Sequence, residues 1–434
     1  MQYTVLEPLR WQDRPARISV EEADGRLNAY YQITVPWQVS RMCLGRPVEE
    51  IPRILPILSP AHHIVSAMTL DRLFQVEPPP LAVNMRQALI STQYFVHHMR
   101  KLYFLFCSQI DPFREYHIRG NDSGKPFVSS RVLDAMMHGV ALAEEAATIL
   151  GGRPEHPVSV VPGGVGRFLK PPHYERLAEI AEQSLKRAME AARAFHERFV
   201  NGSEISTGIL ELHLEPVASL ALSRDMSHIL VTDEAGNEKA PIPPESVFET
   251  VGLHFEPWTY QPFAYFLEKD WKGPEEGMER FFVVGSLARL NTGRPYDHSL
   301  AETERQLLLS TLGSPPHFSL IAAFWSLVTE LIDSAESMKE QFTQEKLTGP
   351  AIRSVPVTMG ERGFASMESP EGFIAHRYEV NDQGLVQSIQ VLDAASENNA
   401  VRCAIARAVI EASRSGTVER DRTKAMIEVS LLPF

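Results

Sequence analysis

The chain has 434 residues, of which 44% are hydrophobic and 22% are charged, and its formal net charge at pH 7 is −13. This is the composition of a globular protein with enough apolar residues for a large core. The net negative charge leaves no basic field that would attract phosphate, so it argues against nucleic acid as a partner.

The first residues, MQYTVLEPLRWQDRPARISV, lack the basic lead and apolar stretch of a signal peptide, and no run of about 18 apolar residues occurs in the sequence. We therefore expect a cytoplasmic protein without a transmembrane segment. The three cysteines, Cys43, Cys107 and Cys403, are spaced too widely for a disulfide framework or a cluster-binding motif, so we predict buried apolar thiols.

β-Hairpins are predicted near both ends of the chain. ARISVEEADGRLNAYYQITV (16–35) has β-rich flanks around an Asp-Gly turn, and GFIAHRYEVNDQGLVQSIQVL (372–392) repeats the pattern around NDQG.

Five segments between the hairpins have the apolar spacing of helices: 62–74, 83–107, 130–150, 173–200 and 318–342. Residues 206–289 are typical of short strands and loops. No internal repeat or long linker interrupts the chain. We therefore predict a mainly α protein with peripheral β-hairpins, of the α+β class, in which residues 1–434 form one domain.

Two histidine doublets, His62–His63 and His97–His98, are metal candidates by residue type. Adjacent helical side chains point about 100° apart, so neither doublet can bind one ion with both rings, and we favour a structural role. The carboxylates Glu330, Asp333 and Glu336 follow helical spacing. That spacing is compatible with a proton path, but a solvated helix face shows it more often, and this is the interpretation we prefer.

Several segments, taken in order, resemble the large subunit of nickel–iron hydrogenases, especially the soluble, cytoplasmic, heteromeric kind. GRPVEEIPRI (45–54) is similar to the segment before that family's first cysteine pair, and AHHIVSAMTLDRLF is similar to the histidine-led helix that follows. HPVSVVPGGVG, FFVVGSLARLN, HFSLIAAFWSLVTELIDSAE and ESPEGFIAHRYEVNDQGLV match later landmarks. The resemblance covers almost the whole chain and implies a hydrogenase large-subunit-like helical core.

The resemblance fails at the metal ligands. The family holds its nickel–iron centre with four thiolates, from an Arg-x-Cys-Gly-x-Cys motif and a later Asp-Pro-Cys-x-x-Cys motif. Here RILPIL keeps Arg53 but places Leu55 and Leu58 at the two cysteines, and KAMIEVSLLPF stops where the second motif would stand. Glu371 replaces the arginine of the family's Pro-Arg-Gly turn. The resemblance therefore implies a degenerate member with no metal or other cofactor in this chain.

The leading functional hypothesis is a non-hydrogenase component of a soluble, multi-subunit redox complex. It would dock a small-subunit-like partner that carries iron–sulfur clusters, with flavin or heterodisulfide-reductase-like subunits as further candidate partners. The resemblance makes Arg46, Arg53 and His62 the candidate partner-binding residues.

The alternative is an oxidoreductase subunit whose vacated cleft binds an organic substrate or quinone, reduced by the partner's cluster. By analogy, His63, Asp111, Arg289 and Glu371 are the polar residues expected near that cleft. A satisfied buried network is the structural alternative for these four. A third hypothesis is an assembly factor or a regulatory homologue.

Overall fold

The structure, a computed structural model, describes residues 2–7, 9, 15–23, 26–35, 39–107, 128–200, 212–414 and 420–434. Helices dominate it. In chain order they are α1 (Val39–Cys43), α2 (Ile51–Ile54), α3 (Pro60–Leu73), α4 (Pro80–Cys107), α5 (Ser130–Gly151), α6 (Pro171–Phe195), α7 (Val247–Thr250), α8 (Ser286–Asn291), α9 (Ser299–Leu312), α10 (Leu320–Gln341), α11 (Gln344–Leu347), α12 (Ala394–Glu397), α13 (Asn399–Arg414) and α14 (Arg420–Ser430).

The strands are short and form small sheets around the helices. They are β1 (Gln2–Leu6), β2 (Ala16–Ala23), β3 (Arg26–Ile33), β4 (Val160–Val161), β5 (Gly164–Val165), β6 (Ala218–Leu222), β7 (Ile229–Thr232), β8 (Val251–His254), β9 (Phe263–Phe266), β10 (Phe282–Val283), β11 (Arg362–Glu368), β12 (Phe373–Val380) and β13 (Val386–Leu392).

Both predicted hairpins are confirmed. β2 pairs antiparallel with β3, and β1 adds a third strand on the other side of β2. β12 pairs antiparallel with both β11 and β13. In the middle of the chain, β6 lies between antiparallel β7 and parallel β10, and β4–β5 and β8–β9 are separate two-stranded pairs. The observed fold is the α+β arrangement that the sequence predicts.

Four long helices form the core. α4 packs along both α5 and α10, and α6 lies against the same two helices. The first half of α10 is buried nearly all round, with Phe324 and Trp325 among the largest buried side chains, as its continuous apolar sequence predicts. α3 lies across β11 and β12 and so connects the helical core to the β11–β13 sheet. Among the described helices, none combines the length and the apolar character needed to cross a bilayer.

Three helices begin earlier than the apolar pattern predicts. α3, α4 and α6 each start at a proline, two or three residues before the predicted positions 62, 83 and 173. Proline is favoured in the first turn of a helix because that turn needs no backbone N–H donor there, and its fixed φ suits the helix. The apolar pattern marks only the residues that face the core, so it misses such a turn.

Candidate functional site

A cleft of about 360 Å³ opens where the segment after α2 meets α4. One wall is apolar and includes Leu58, Pro60, Val96 and Phe104. The polar lining comes mainly from α4 and from the turn before β12: it contains Thr92, Gln93, His97, Arg100, Lys101 and Glu371, with Glu144 and Glu155 at the far side. This combination of an apolar wall and a few convergent polar groups is typical of a ligand site.

Leu55 and Leu58 occupy different surroundings. Leu55 is completely buried in an apolar cluster with Val48, Ile51 and Leu70. Leu58 lies on the cleft wall, immediately before the N-cap residue Ser59. The positions that the resemblance assigns to a cysteine pair are therefore filled by side chains that offer no metal-binding atom.

Glu371 reaches the cleft from a tight turn. Ser369 and Gly372 close this turn, with the Ser369 N–H donating to the Gly372 carbonyl at 2.8 Å. A side chain at Gly372 would bring a Cβ to 2.3 Å from Val284 Cγ2, and φ there is +153°, so the turn requires glycine. Oε1 of Glu371 lies 3.5 Å from Nε2 of His97. Burial alone would raise the pKa of Glu371, but His97, Lys101 and Arg402 hold it well below its ordinary value.

Arg289, on α8, holds the turn in place from behind. Its guanidinium makes two contacts with Glu330, Nε to Oε1 at 2.5 Å and Nη2 to Oε2 at 2.7 Å, and a third from Nη1 to Glu368 Oε2 at 2.5 Å. It also donates to the carbonyls of Ser369 and Pro370 at 3.2 Å. Burial acts against its charge, but the two carboxylates outweigh burial and raise its pKa well above the ordinary value. Arg289 therefore fixes the turn that carries Glu371.

The four residues predicted near the cleft do not meet there. Glu371 lines it, whereas Arg289 lies behind the turn and borders a different cavity. Asp111 lies outside the described residues. His63 is buried elsewhere, with Nδ1 2.5 Å from the Pro52 carbonyl and Nε2 2.8 Å from the Val160 carbonyl, so it does not line this cleft. His63 bridges two backbone segments, which is a structural role.

The structure also separates the predicted partner-binding residues. Arg46 and Arg53 are exposed. His62 is only 2% exposed, and its Nδ1 lies 2.9 Å from Nε2 of His376 in the interior. The His62 ring therefore offers almost no surface to a docked protein, because α3 turns it towards β12. The assignment of Arg46 and Arg53 to partner binding stays a prediction.

The sequence pattern did not assign a site role to His97 or to Glu330, but each of them lines a cavity. His97 faces the cleft, and its neighbour His98 lies 3.0 Å from Glu330 through Nε2 and Oε2. Glu330 is 2% exposed, so the preferred interpretation of a solvated helix face is wrong for this residue. The signal was in the sequence: a carboxylate inside the apolar part of α10 must be buried, and a buried charge requires a partner.

The described residues do not fit a nickel–iron centre held by four thiolates. In the described part of the chain, no group of three or more His, Cys, Asp or Glu side chains could hold a metal ion. Cys43 lies in the apolar cluster of Leu55, and Cys403 accepts a hydrogen bond from the Tyr31 N–H at 3.3 Å. Soft thiolate ligation cannot be built from leucines, and these thiols lie on separate elements.

Burial raises the pKa of Cys43 to about 11 and that of Cys403 to about 12, whereas Cys107 at the end of α4 is partly exposed. A pKa two units above 9 lowers the thiolate fraction at pH 8 about 100-fold. We expect iodoacetamide to modify Cys107 first in the folded chain, and Cys43 and Cys403 to react only after denaturation. Peptide mass spectrometry of timed samples checks this order; fast modification of Cys43 in the folded chain would contradict its burial.

Comparison with known proteins identifies relatives along nearly the full length, although no family model matches. A vhu-type F420-non-reducing hydrogenase subunit of Methanocaldococcus jannaschii is 26% identical over 91% of this chain and 95% of its own length. An iron–sulfur subunit of the F420-non-reducing hydrogenase of Archaeoglobus profundus is 22% identical over 99% of this chain and 92% of its own length. The beta subunit of the NAD-reducing hydrogenase HoxS of Cupriavidus necator is 23% identical over 85% and 79%.

Solved structures show the same fold. An NAD⁺-reducing [NiFe]-hydrogenase in its H₂-reduced state matches with a TM-score of 0.82 and 22% identity, over 100% of this chain and 97% of the other. A [NiFeSe] hydrogenase from Desulfovibrio vulgaris Hildenborough matches with a TM-score of 0.72 and 13% identity over the same shares.

Proposed function

This chain belongs to the nickel–iron hydrogenase large-subunit family, and we propose that it is a non-hydrogenase component of a multi-subunit redox complex. The observation that carries this proposal is the replacement of metal-binding side chains by Leu55 and Leu58 in a fold otherwise kept over the full length of its relatives. A buried, close-packed leucine stabilises the fold but binds no ion.

The partner in this proposal is an iron–sulfur protein that resembles the hydrogenase small subunit. The relatives are subunits of multi-subunit hydrogenases. In the family, the segment around 45–63 faces the partner. In this chain the segment follows α1 and contains α2 and the turn after it, and its exposed side chains include Arg46, Arg53 and Ile57.

The surface around this segment has the character of an interface. Three apolar side chains in this segment or just before it are exposed: Met42, Leu44 and Ile57. A groove of about 690 Å³ runs from Val39 and Leu58 to the β8–β9 pair, which exposes Leu253, Phe255 and Tyr260. We call these six exposed side chains the docking face. Phe255 is 60% exposed, and large exposed apolar patches mark protein–protein contact sites.

Charge adds to the case for docking. The exposed residues Arg41, Arg46 and Arg53 lie beside the docking face in a chain whose net charge is −13. A local basic rim around an apolar centre matches the usual anatomy of an interface, in which polar residues surround an apolar core and charges fix orientation.

The experiment is to purify the tagged chain from its native host and to measure how much iron–sulfur partner it retains. We expect Ile57→Asp and Phe255→Asp to reduce partner binding at least about 30-fold, because an acid at the centre of an apolar interface is a hot-spot loss of about 2 kcal/mol or more. Arg53→Glu should also weaken binding. Leu307→Asp, which changes an equally exposed leucine on α9 outside the docking face, is the matched control and should leave binding unchanged.

Two results would reject this docking proposal. One is a native chain that is a stable monomer without an iron–sulfur partner. The other is a partner that survives both docking-face substitutions while circular dichroism shows the fold to be retained.

The cleft supports a second candidate function, an oxidoreductase subunit that reduces an organic substrate or quinone with electrons from the partner's cluster. Two polar atoms in its lining, Gln93 Oε1 and His97 Nε2, are buried and make no aligned hydrogen bond. A buried polar atom without a partner costs about 1–3 kcal/mol, which a bound molecule could offset. Extraction of the native complex and mass spectrometry separates the two functions: a small molecule at about one per chain favours the second, and its absence from an intact complex favours the first.

A further inference from the structure

α4 separates two cavities. The cleft lies on one side, and a cavity of about 420 Å³, which we call the outer cavity, lies on the other. The outer cavity is lined by Tyr94, Arg289, Tyr296 and Glu330, among others. Adjacent residues of a helix point about 100° apart, so a pair of neighbours on α4 can face both sides at once. His97 and His98 are such a pair.

The two rings connect a carboxylate at the cleft to a carboxylate at the outer cavity. His97 Nε2 lies 3.5 Å from Glu371 Oε1, and His97 Nδ1 lies 3.3 Å from His98 Nδ1. His98 Nε2 lies 3.0 Å from Glu330 Oε2. At both Nε2 atoms the carboxylate oxygen is close, but the contact does not have the geometry of an aligned hydrogen bond. Every nitrogen of the pair is thus within reach of one acidic or imidazole neighbour.

This set is one proton short. Glu330 is held ionised: burial would raise its pKa, but Arg289 and the contact with His98 lower it well below the ordinary value. Burial lowers the pKa of His98 to about 4, so this ring is neutral at pH 7. An imidazole in its neutral form carries one N–H group, so the pair carries two when both rings are in that form. Each of the three contacts needs one shared proton, so in that form one contact is empty and one added proton completes the set.

The surroundings of the pair limit which charges can act on it. The titratable and charged side chains around the two rings are Tyr94, Arg100 and Lys101 on α4, Arg289 on α8, Arg294 and Tyr296 after it, Glu330 on α10, Glu368 on β11, Glu371 in the turn before β12, and Arg402 on α13. The carboxylates among them are held by arginine or by the rings themselves.

On the Glu330 side of the histidine pair, a series of polar side chains leads to the surface. Tyr296 donates from its hydroxyl to Glu330 Oε1 at 3.4 Å. Asp333, one helical turn from Glu330, lines the same cavity and lies 2.7 Å from His298 Nδ1. His298 Nε2 lies 3.2 Å from the exposed Glu340, and its contact with Asp333 raises the pKa of His298. A histidine whose protonated form is favoured by Asp333 therefore stands where the outer cavity meets solvent.

We propose that His97 and His98 form a proton-transfer chain that carries one proton between the outer cavity and the cleft. The proposal deepens the second candidate function, since reduction of an organic molecule in the cleft consumes protons. A proton on Glu330 passes to His98 Nε2, the proton on His98 Nδ1 passes to His97 Nδ1, and the proton on His97 Nε2 passes to Glu371. One proton enters and one leaves, and both rings end in the other tautomer, from which the reverse passage or ring rotation returns them.

The test uses nitrogen-15 spectra of the full-length chain labelled at histidine, with the two rings assigned from His97→Gln and His98→Gln. In the unmodified chain we expect both rings to exchange between tautomers, visible as relaxation dispersion on the microsecond-to-millisecond scale. Glu371→Gln should stop this exchange. The amide donates to His97 Nε2, His97 Nδ1–H donates to His98, and His98 Nε2–H donates to Glu330, so all three contacts are filled and His98 is fixed as its Nε2–H tautomer.

Glu155→Gln is the matched control, because Glu155 lines the same cleft without contacting either ring, and it should leave both rings exchanging. If Glu371→Gln loses the native spectrum, His97→Gln replaces it: the chain is cut, and His98 should become static while His298 keeps its titration. The proposal is overturned if His98 shows the same single tautomer with and without the Glu371 carboxylate. Because the measurement needs neither partner nor cleft ligand, its failure is distinct from failure of the second candidate function.

Discussion

We expect Arg289→Met to lower the free energy of unfolding by about 3–5 kcal/mol. The substitution leaves Glu330 and Glu368 buried without their cation, and breaking a buried ion pair from one side costs about that much because the remaining charge is uncompensated. It also removes the two hydrogen bonds that hold the carbonyls of Ser369 and Pro370. Equilibrium unfolding in urea, monitored by circular dichroism, measures the loss.

The control for this variant is Arg176→Met, which breaks exposed ion pairs with Glu145 and Glu179 and should change stability by less than about 1 kcal/mol. Adding Glu330→Gln to Arg289→Met should recover part of the loss, because one of the two unpaired charges is then removed. A loss below about 1 kcal/mol for Arg289→Met would mean that the ion pairs of Arg289 with Glu330 and Glu368 do not hold the turn in place.

The sequence was sufficient to predict most helices of the core, because apolar residues that recur every 3.6 positions mark the buried face of a helix. It missed α9, α13 and α14. For α13 a signal existed: Val401, Ile405 and Val409 recur every four residues and are all buried. The hairpins were predictable because Asp-Gly and NDQG turns are local features whose backbone requirements depend on a few adjacent residues.

The site was less predictable, because its contacts join distant parts of the chain. Arg289 and Glu330 are 41 residues apart, and Glu371 meets His97 across most of the chain. The spacing of residues within one segment cannot predict contacts between segments so far apart in the chain. For the same reason, analogy with the family placed His63 at the cleft although its ring bonds to backbone carbonyls elsewhere. The doublet His97–His98 was correctly excluded as a two-ring chelate, but its position between two cavities depends on how α4 packs.

The second large effect we expect concerns metal content. The 434 residues contain three cysteines, and two of them have their thiols buried and protonated. Leu55 and Leu58 close the place where a first thiolate pair would stand. A chain of this kind should hold no nickel even when it is assembled in its complex, whereas the iron–sulfur clusters of the proposed partner should bring iron into that complex.

The most direct test is the nickel and iron content of the native complex, purified through this chain and quantified per chain by elemental analysis. We predict several iron atoms per chain and no stoichiometric nickel. About one nickel per chain, together with hydrogen-dependent dye reduction by the same preparation, would contradict it.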